Sequence, residues 1–288
     1  MDEPVGDQAM LPLFALAREA SRVVKVVLSG EGADELFGGY SYYAPFARSP
    51  SQGVIDHILT LPLHGEGGRA YFIGEHEQTA SGFPTVLPRE VRKRLSKSPI
   101  RADGTWHEEL LADLGSVHDP LRRATLCDIL TWLSEDLLMK ADKMTMANSL
   151  EGRAPYLAPR LAESAFSLPE AEKIANGTVK VALRQAAKPH LPNTIFTRRK
   201  QGWVLPMHRW LTEDLHDEFV DAIRSCESPL IDKMYLETLV QKRRDSDATA
   251  LGERALYALL VMVRWLNHAS RRVAETRAAM IQRARASA

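Results

Sequence analysis

The stretch "VVKVVLSGEGADELFGGY", Val23 to Tyr40, joins an apolar β-branched run to a segment with four glycines and three acids, Glu31, Asp34 and Glu35. A strand that only has to turn needs none of these carboxylates. Gly30 and Gly32 lack side chains, so backbone at "SGEGADE" can approach a ligand closely. A glycine-rich junction at the C-terminal end of a parallel strand is where open α/β sheets place nucleotides. The acids there are candidates for orienting a reacting group or meeting Mg²⁺ on phosphate oxygens. The plain alternative is a turn whose acids face a helix start.

Upstream, "LPLFALAREASR" (Leu11 to Arg22) has helical apolar spacing and leads into the strand, as in half of a parallel α/β unit. We expect the strand to be buried, and it is the only convincing one in the chain. From Ser49 to about Asp119 turn-rich sequence dominates, with short helices between the turns. From Pro120 the segment "LRRATLCDILTWLSEDLLMKADKM" reads as a long amphipathic helix, with Asp136 and Lys140 at i, i+4 on its polar side. Pro155 and Pro159 end that helix. Three more follow, in "VKVALRQAAKPH", "PMHRWLTEDLHDEFVDAIR" and "LGERALYALLVMVRWLNHASRR", then a fraying basic tail. One parallel strand cannot form a sheet, because its backbone groups need neighbours. Short strands in the middle of the chain, or strands from sequence outside it, must complete the sheet.

Composition narrows the function classes. The 288 residues are 45% hydrophobic and carry 37 basic against 37 acidic side chains, which suits a core-forming domain with no bias toward nucleic acid or membrane. Cys127 and Cys226 are far apart and fit no metal or disulfide framework, so we expect reduced thiols in the cytoplasm. No apolar run spans a bilayer, the start is no signal peptide, and the nine histidines form no H-x-x-x-H pair, so no protein-held metal is expected.

Three further segments carry candidate chemistry. In "KADKMTMANSLEGRAPY", Glu151 and Arg153 alternate on an extended stretch and point the same way, toward one cavity or into a surface ion pair. In "VKVALR", Lys180 and Arg184 lie one helical turn apart, a spacing that suits a shared anion such as phosphate or a solvated helix face. In "TRRKQGWVLPMHRWL", Arg198, Arg199 and Lys200 precede Gly202 and Trp203, a cluster too short to read as a nucleic-acid surface.

Together and in order, these segments resemble the C-terminal synthetase domain of glutamine-hydrolysing asparagine synthetases. The family shows S-G-[DE]-G-x-D-E-x-F-G-G-Y, matched by Ser29 to Tyr40, and D-[KR]-x-[ST]-M-A-x-S-L-E-x-R-x-P-[FY]-L, matched by Asp142 to Leu157. It continues with K-x-x-L-R, matched by Lys180 to Arg184, and R-x-K-x-G-[FW]-x-x-P, matched by Arg198 to Pro206. The resemblance covers nearly the whole chain and is weakest from Ser49 to Asp119. It implies an α/β fold, predominantly helical here, with part of an ATP-pyrophosphatase-type (adenine nucleotide α-hydrolase-like) parallel sheet and a helical C-terminal part. It implies one domain over residues 1–288: strand and nucleotide loop in 1–48, a variable segment in 49–119, helical site motifs in 120–270 and a basic tail in 271–288.

The implied reaction joins aspartate to AMP from ATP·Mg²⁺, releasing pyrophosphate, and glutamine-derived ammonia then displaces AMP to give asparagine. The implied nucleotide contacts are Ser29, Gly30, Gly32, Asp34, Lys180 and Arg184. Glu31 and Lys180 would be catalytic, and Glu151 and Arg153 would shape the aspartate pocket. Two family features are missing: the phosphate loop S-G-G-x-D-S, and a Cys at position 2, where Asp2 stands. We therefore expect the chain to need an N-terminal glutaminase and phosphate-loop portion. A β-lactam or lasso-peptide type of amide formation, or a non-catalytic binding module, remain open beside asparagine synthesis. Ala158 departs from the family's Asp after P-[FY]-L, which removes a cap or pocket contact.

Overall fold

The computed structural model describes residues 3–44, 46–47, 87, 89–98, 114, 116–198, 205–245 and 251–286. Most of the turn-rich 49–119 segment, and Arg199, Lys200, Gly202 and Trp203 of the basic cluster, lie outside these. The chain forms two compact units. One comprises Leu11–Thr85 and Asp103–Gly202, and the other comprises Met1–Met10, Val86–Ala102 and Trp203–Ala288.

The first unit holds three of the four motifs, Ser29–Tyr40, Asp142–Leu157 and Lys180–Arg184. Strand β1, Val26–Leu28, runs parallel to β2, Glu151–Arg153, in the register Val26 to Glu151 and Leu28 to Arg153. Glu151 N donates to Lys25 O (2.9 Å), and Ser29 N donates to Arg153 O (2.8 Å). The fold is thus α/β, mostly helical, with a small parallel sheet. A second sheet, β3 (Ile174–Ala175) with β4 (Thr178–Val179), is an antiparallel hairpin. The strand in Val23–Leu28 is therefore not alone. Nor is it buried as expected: Val23 is 85% exposed, Val26 40% and Leu28 73%. Among the described residues β1 pairs only with β2.

The helical run from Pro120 starts as its sequence suggests, with Asp119 capping Arg122 N (2.8 Å) and Pro120 in the first turn. It is α-helical to Asp128, π-helical over Ile129–Leu138 and α-helical again to Met146. Trp132, Leu133 and Leu137 form one buried cluster along it. Lys140 is buried rather than on a solvent-facing polar side. Ser149, at φ 53°, ends the run, and Leu150 N donates back to Thr145 O (3.1 Å) as the chain turns into β2. Ala158 stands at the N-cap of the helix Pro159–Ser167, and no side chain caps that helix.

In the second unit, helices His216–Arg224, Lys233–Arg244 and Glu253–Ala286 share a core built on Phe219, Ile223, Leu236, Leu256 and Val263. The helix Lys233–Arg244, capped by Asp232 on Tyr235 N (2.9 Å), was not foreseen. Its sequence markers are that Asp cap, Leu236, Leu239 and Val240 at helical spacing, and Lys242, Arg243 and Arg244 in the last turn. The expected helix through Pro206–Arg224 breaks at Leu215, where φ is −114°. The basic tail does not fray: it stays helical to Ala286. Among the described residues no helix is long and apolar enough to cross a membrane, and Cys127 and Cys226 are buried and not joined in a disulfide.

Candidate functional site

Beyond β1 the chain makes a single tight loop into a five-residue helix, Ala33–Phe37. Gly32 starts it at φ 85°, a left-handed conformation, with Leu157 packed where a Cβ would stand (2.3 Å to Cδ2). Leu36 and Phe37 anchor the helix against Ala165, Tyr156, Leu157 and Leu183. Asp34 and Glu35 fall in the first turn, so this small apolar anchor fixes the direction of both carboxylates.

Asp34 Oδ1 pairs with Lys180 Nζ at 3.0 Å, each side chain about a quarter exposed. Lys180 follows directly on the β3–β4 hairpin. The hairpin turns at Asn176 (φ 51°) and Gly177 (φ 76°), the type of turn that Asn-Gly favours between antiparallel strands. Lys180 is itself left-handed, at φ 54° and ψ 42°, and caps the helix Val181–Ala187 rather than lying within it. A non-glycine residue in this region costs about 1–2 kcal/mol, and strain of this kind is typical of functional positions.

Gly39 makes the pair possible. A Cβ there would lie 2.0 Å from Lys180 Cε and 2.1 Å from Asp34 Oδ1. Gly39 N donates to Asp34 O (2.7 Å), holding its backbone against the pair. Gly30, by contrast, has nothing within 4 Å of a Cβ position, which leaves open space over the loop.

Behind the pair sits a second acid. Glu35 is 1% exposed and accepts from Tyr40 Oη at 2.6 Å. Burial raises its pKa above 4.5, and the charges of Asp34 and Asp128 add to the rise, while the Tyr40 hydrogen bond opposes it. Tyr40 leans on Tyr43 (ring centroids 5.6 Å apart), and Tyr43 Oη donates to Asp128 Oδ2 at 2.5 Å. A buried phenol–carboxylate framework thus supports the helix that carries Asp34.

The remaining candidates divide into two groups. The β1–β2 ladder brings Ser29 and Gly30 alongside Arg153. On β2, Arg153 Nε donates to Glu151 Oε1 at 2.7 Å, and both side chains are more than half exposed. They do share one side of the strand, as their spacing suggested, and there they pair with each other. Glu31 is half-buried in the turn between Gly30 and Gly32. Arg184 donates to Phe196 O at 2.6 Å and lies over the Phe196 ring (5.5 Å). Among the described residues no group of three or more His, Cys, Asp or Glu comes together as a metal site.

Three features of the site were missed from sequence. The Asn176–Gly177 dipeptide between short apolar runs was a readable hairpin signal. The steric role of Gly39 and the bond between Glu35 and Tyr40 depend on tertiary contacts and had no local signal.

Comparison with known proteins agrees with the motifs. Residues 1–267 match the asparagine synthase family. A Mycobacterium bovis protein provisionally named as a glutamine-hydrolysing asparagine synthetase is 36% identical over 285 residues, covering 92% of this chain and 42% of its own length. Asparagine synthetase (glutamine-hydrolysing) 1 of Bacillus subtilis is 32% identical, covering 92% of this chain and 44% of its own length. The chain therefore spans less than half the length of these curated relatives. With the family match over nearly its whole length and these relatives, the chain belongs to the asparagine synthase family.

Proposed function

We propose that this chain carries the adenylating part of an ATP-dependent asparagine synthesis. The observation that carries this reading is the Asp34–Lys180 pair, held by Gly39 one helical turn beyond the open loop at Gly30. A half-buried ammonium fixed by one carboxylate is a pre-oriented charge, the arrangement that stabilises phosphate charge as it develops. The sheet is read as part of the ATP-pyrophosphatase type, with the nucleotide at the C-terminal end of β1.

In this reading a β-carboxylate oxygen of aspartate attacks the α-phosphorus of ATP. The bond to the β-phosphate breaks, giving β-aspartyl-AMP and pyrophosphate. Ammonia derived from glutamine then adds at the acyl carbon and loses a proton. AMP departs with the former carboxylate oxygen. Ser29, Gly30 and Gly32 line the nucleotide, and Lys180 neutralises the phosphate charge. Asp34 aims Lys180, and Glu31 holds the acyl-adenylate. Glu151 and Arg153 open their mutual pair to receive the ammonium and carboxylate of aspartate. Arg184 keeps donors beyond its bond to Phe196 for a phosphate oxygen. Mg²⁺ enters with ATP as part of the substrate. The reaction belongs in the cytoplasm, where ATP and glutamine are supplied.

The exposed Val26 and Leu28, and an edge of β1 that no described strand pairs with, support a partner: parallel strands are stable when flanked and covered. We assign that role to the N-terminal glutaminase and phosphate-loop portion that the resemblance implies; the chain spans less than half of its glutamine-hydrolysing relatives. The test is ATP–pyrophosphate isotope exchange with aspartate and Mg²⁺. It is run on the chain alone and after adding the N-terminal portion of the Bacillus subtilis relative. Exchange that requires aspartate, appears on addition and is lost in Glu31→Gln is expected. Absence of aspartate-dependent exchange under both conditions would refute the reading.

A further inference from the structure

The helix Glu253–Ala286 begins in a core and ends outside it. Leu256, Leu259, Leu260 and Val263 are buried in the second unit, and Leu266 is the last residue packed against them. From Ser270 to Arg283 every residue is exposed. At 1.5 Å per residue this projection is about 20 Å long. The family match stops at residue 267, so the arm lies outside what the family accounts for.

Its chemistry differs from that of the rest of the chain. Between Ser270 and Arg283, four arginines, Arg271, Arg272, Arg277 and Arg283, stand against one acid, Glu275, in a protein that is neutral overall. Val273 is 68% exposed and Met280 67%. Leu266, Val273 and Met280 are spaced by seven, so the apolar stripe that is partly buried at Leu266 continues into solvent along one helix face. Arg277 falls within this stripe, four residues after Val273 and three before Met280.

These features select the occupant. Heptad-spaced apolar residues on a helix match another helix, and the neighbouring alanines, Ala274, Ala278 and Ala279, allow close approach. An arginine inside such a stripe needs a carboxylate facing it once water is excluded. A second copy of the arm, crossing at its middle, would meet Arg277 with another arginine. A membrane surface is a poor match, because interfacial helices insert bulky aromatic and leucine side chains. This arm has no aromatic residue beyond Trp265.

We propose that the projecting helix is a docking arm for an acidic amphipathic helix of a partner protein, with a carboxylate opposite Arg277. The probe is a synthetic labelled helical peptide with leucine at heptad core positions and glutamate at the position facing Arg277. Binding to the full chain is followed by fluorescence anisotropy. The expected result is micromolar binding that Arg277→Glu weakens by about tenfold or more. A peptide with lysine at the facing position restores binding to that variant. Val273→Asp weakens binding without moving the melting temperature, since the side chain is exposed.

Three outcomes overturn the proposal. The first is no peptide binding up to about 100 µM, or binding indifferent to Arg277→Glu. The second is co-sedimentation with phosphatidylserine vesicles in place of peptide binding. The third is self-association in the ultracentrifuge that Met280→Asp abolishes, which would make a second copy the occupant.

Discussion

Replacing Gly39 by alanine tests the geometry of the site with one methyl group. The new Cβ would lie 2.0 Å from Lys180 Cε and 2.1 Å from Asp34 Oδ1. Ordinary contact between carbon atoms begins at about 3.5 Å, so each side chain has to retreat by roughly 1.5 Å. The backbone cannot absorb this, because Asp34 Cα is already 2.9 Å from the same point and Gly39 N is bonded to Asp34 O. The pair at 3.0 Å must open. A partly buried, charge-assisted pair of this kind is worth about 1–2 kcal/mol. At about 2–4 °C per kcal/mol for a chain of this size, Gly39→Ala should melt about 2–8 °C below the parent. Misplacing the Lys180 ammonium by more than 1 Å should also lower adenylation about a hundredfold. Gly177→Ala is the control: it has φ 76° and nothing within 4 Å, so it carries backbone strain alone and leaves the pair intact. Differential scanning fluorimetry and the exchange assay read both effects. Parental melting and exchange in Gly39→Ala would show that the pair does not depend on that space.

Three further substitutions probe the supports of the site. Burial raises the Glu35 pKa above 4.5, so its contribution to stability is present below that value and is lost as pH rises through the folded pKa. Glu35→Gln keeps an acceptor for Tyr40, and its melting temperature should gain on the parent as pH rises from 4 to 7; a constant difference would refute this. Burial, helped by Arg122, lowers Lys173 from 10.5 to about 8, with the ammonium over the Phe166 ring (5.1 Å). The contribution of Lys173 is therefore present above 10.5 and lost as pH falls through about 8. Lys173→Met should melt above the parent at pH 7, and its advantage should shrink across that window; an advantage independent of pH would count against the assignment. Ala158→Asp restores a side chain at an uncapped N-terminus. It should add about 1 kcal/mol, and an unchanged or lower melting temperature would argue against a missing cap.

What could be read from the sequence was what local chemistry carries. The run at Val26–Leu28, the glycine turn, the helix started by Asp119 and Pro120, and the extended Glu151–Arg153 segment all stand where residue types place them. The expected burial of β1 was wrong for a physical reason. β-branched residues report a strand that is suited to cover, not whether this chain supplies it. The joining of Asp34 to Lys180 crosses 146 positions, and the room for it comes from Gly39, whose role shows only in three dimensions. Lys180 read as a helix residue because its left-handed backbone is imposed by the hairpin before it, against ordinary preference. Arg184 shared its helical spacing and yet turned to Phe196, since the helix begins one residue after Lys180.

The central claim is that an aspartate oxygen attacks the α-phosphorus of ATP at this site. The most direct measurement supplies aspartate labelled with ¹⁸O in its β-carboxylate, with ATP, Mg²⁺ and ammonium, to the chain joined by the N-terminal portion. The AMP and pyrophosphate are then weighed by mass spectrometry. The account predicts one ¹⁸O in AMP and none in pyrophosphate, with the signal abolished by Lys180→Met. Unlabelled AMP, or label appearing in inorganic phosphate with ADP as the other product, would contradict it.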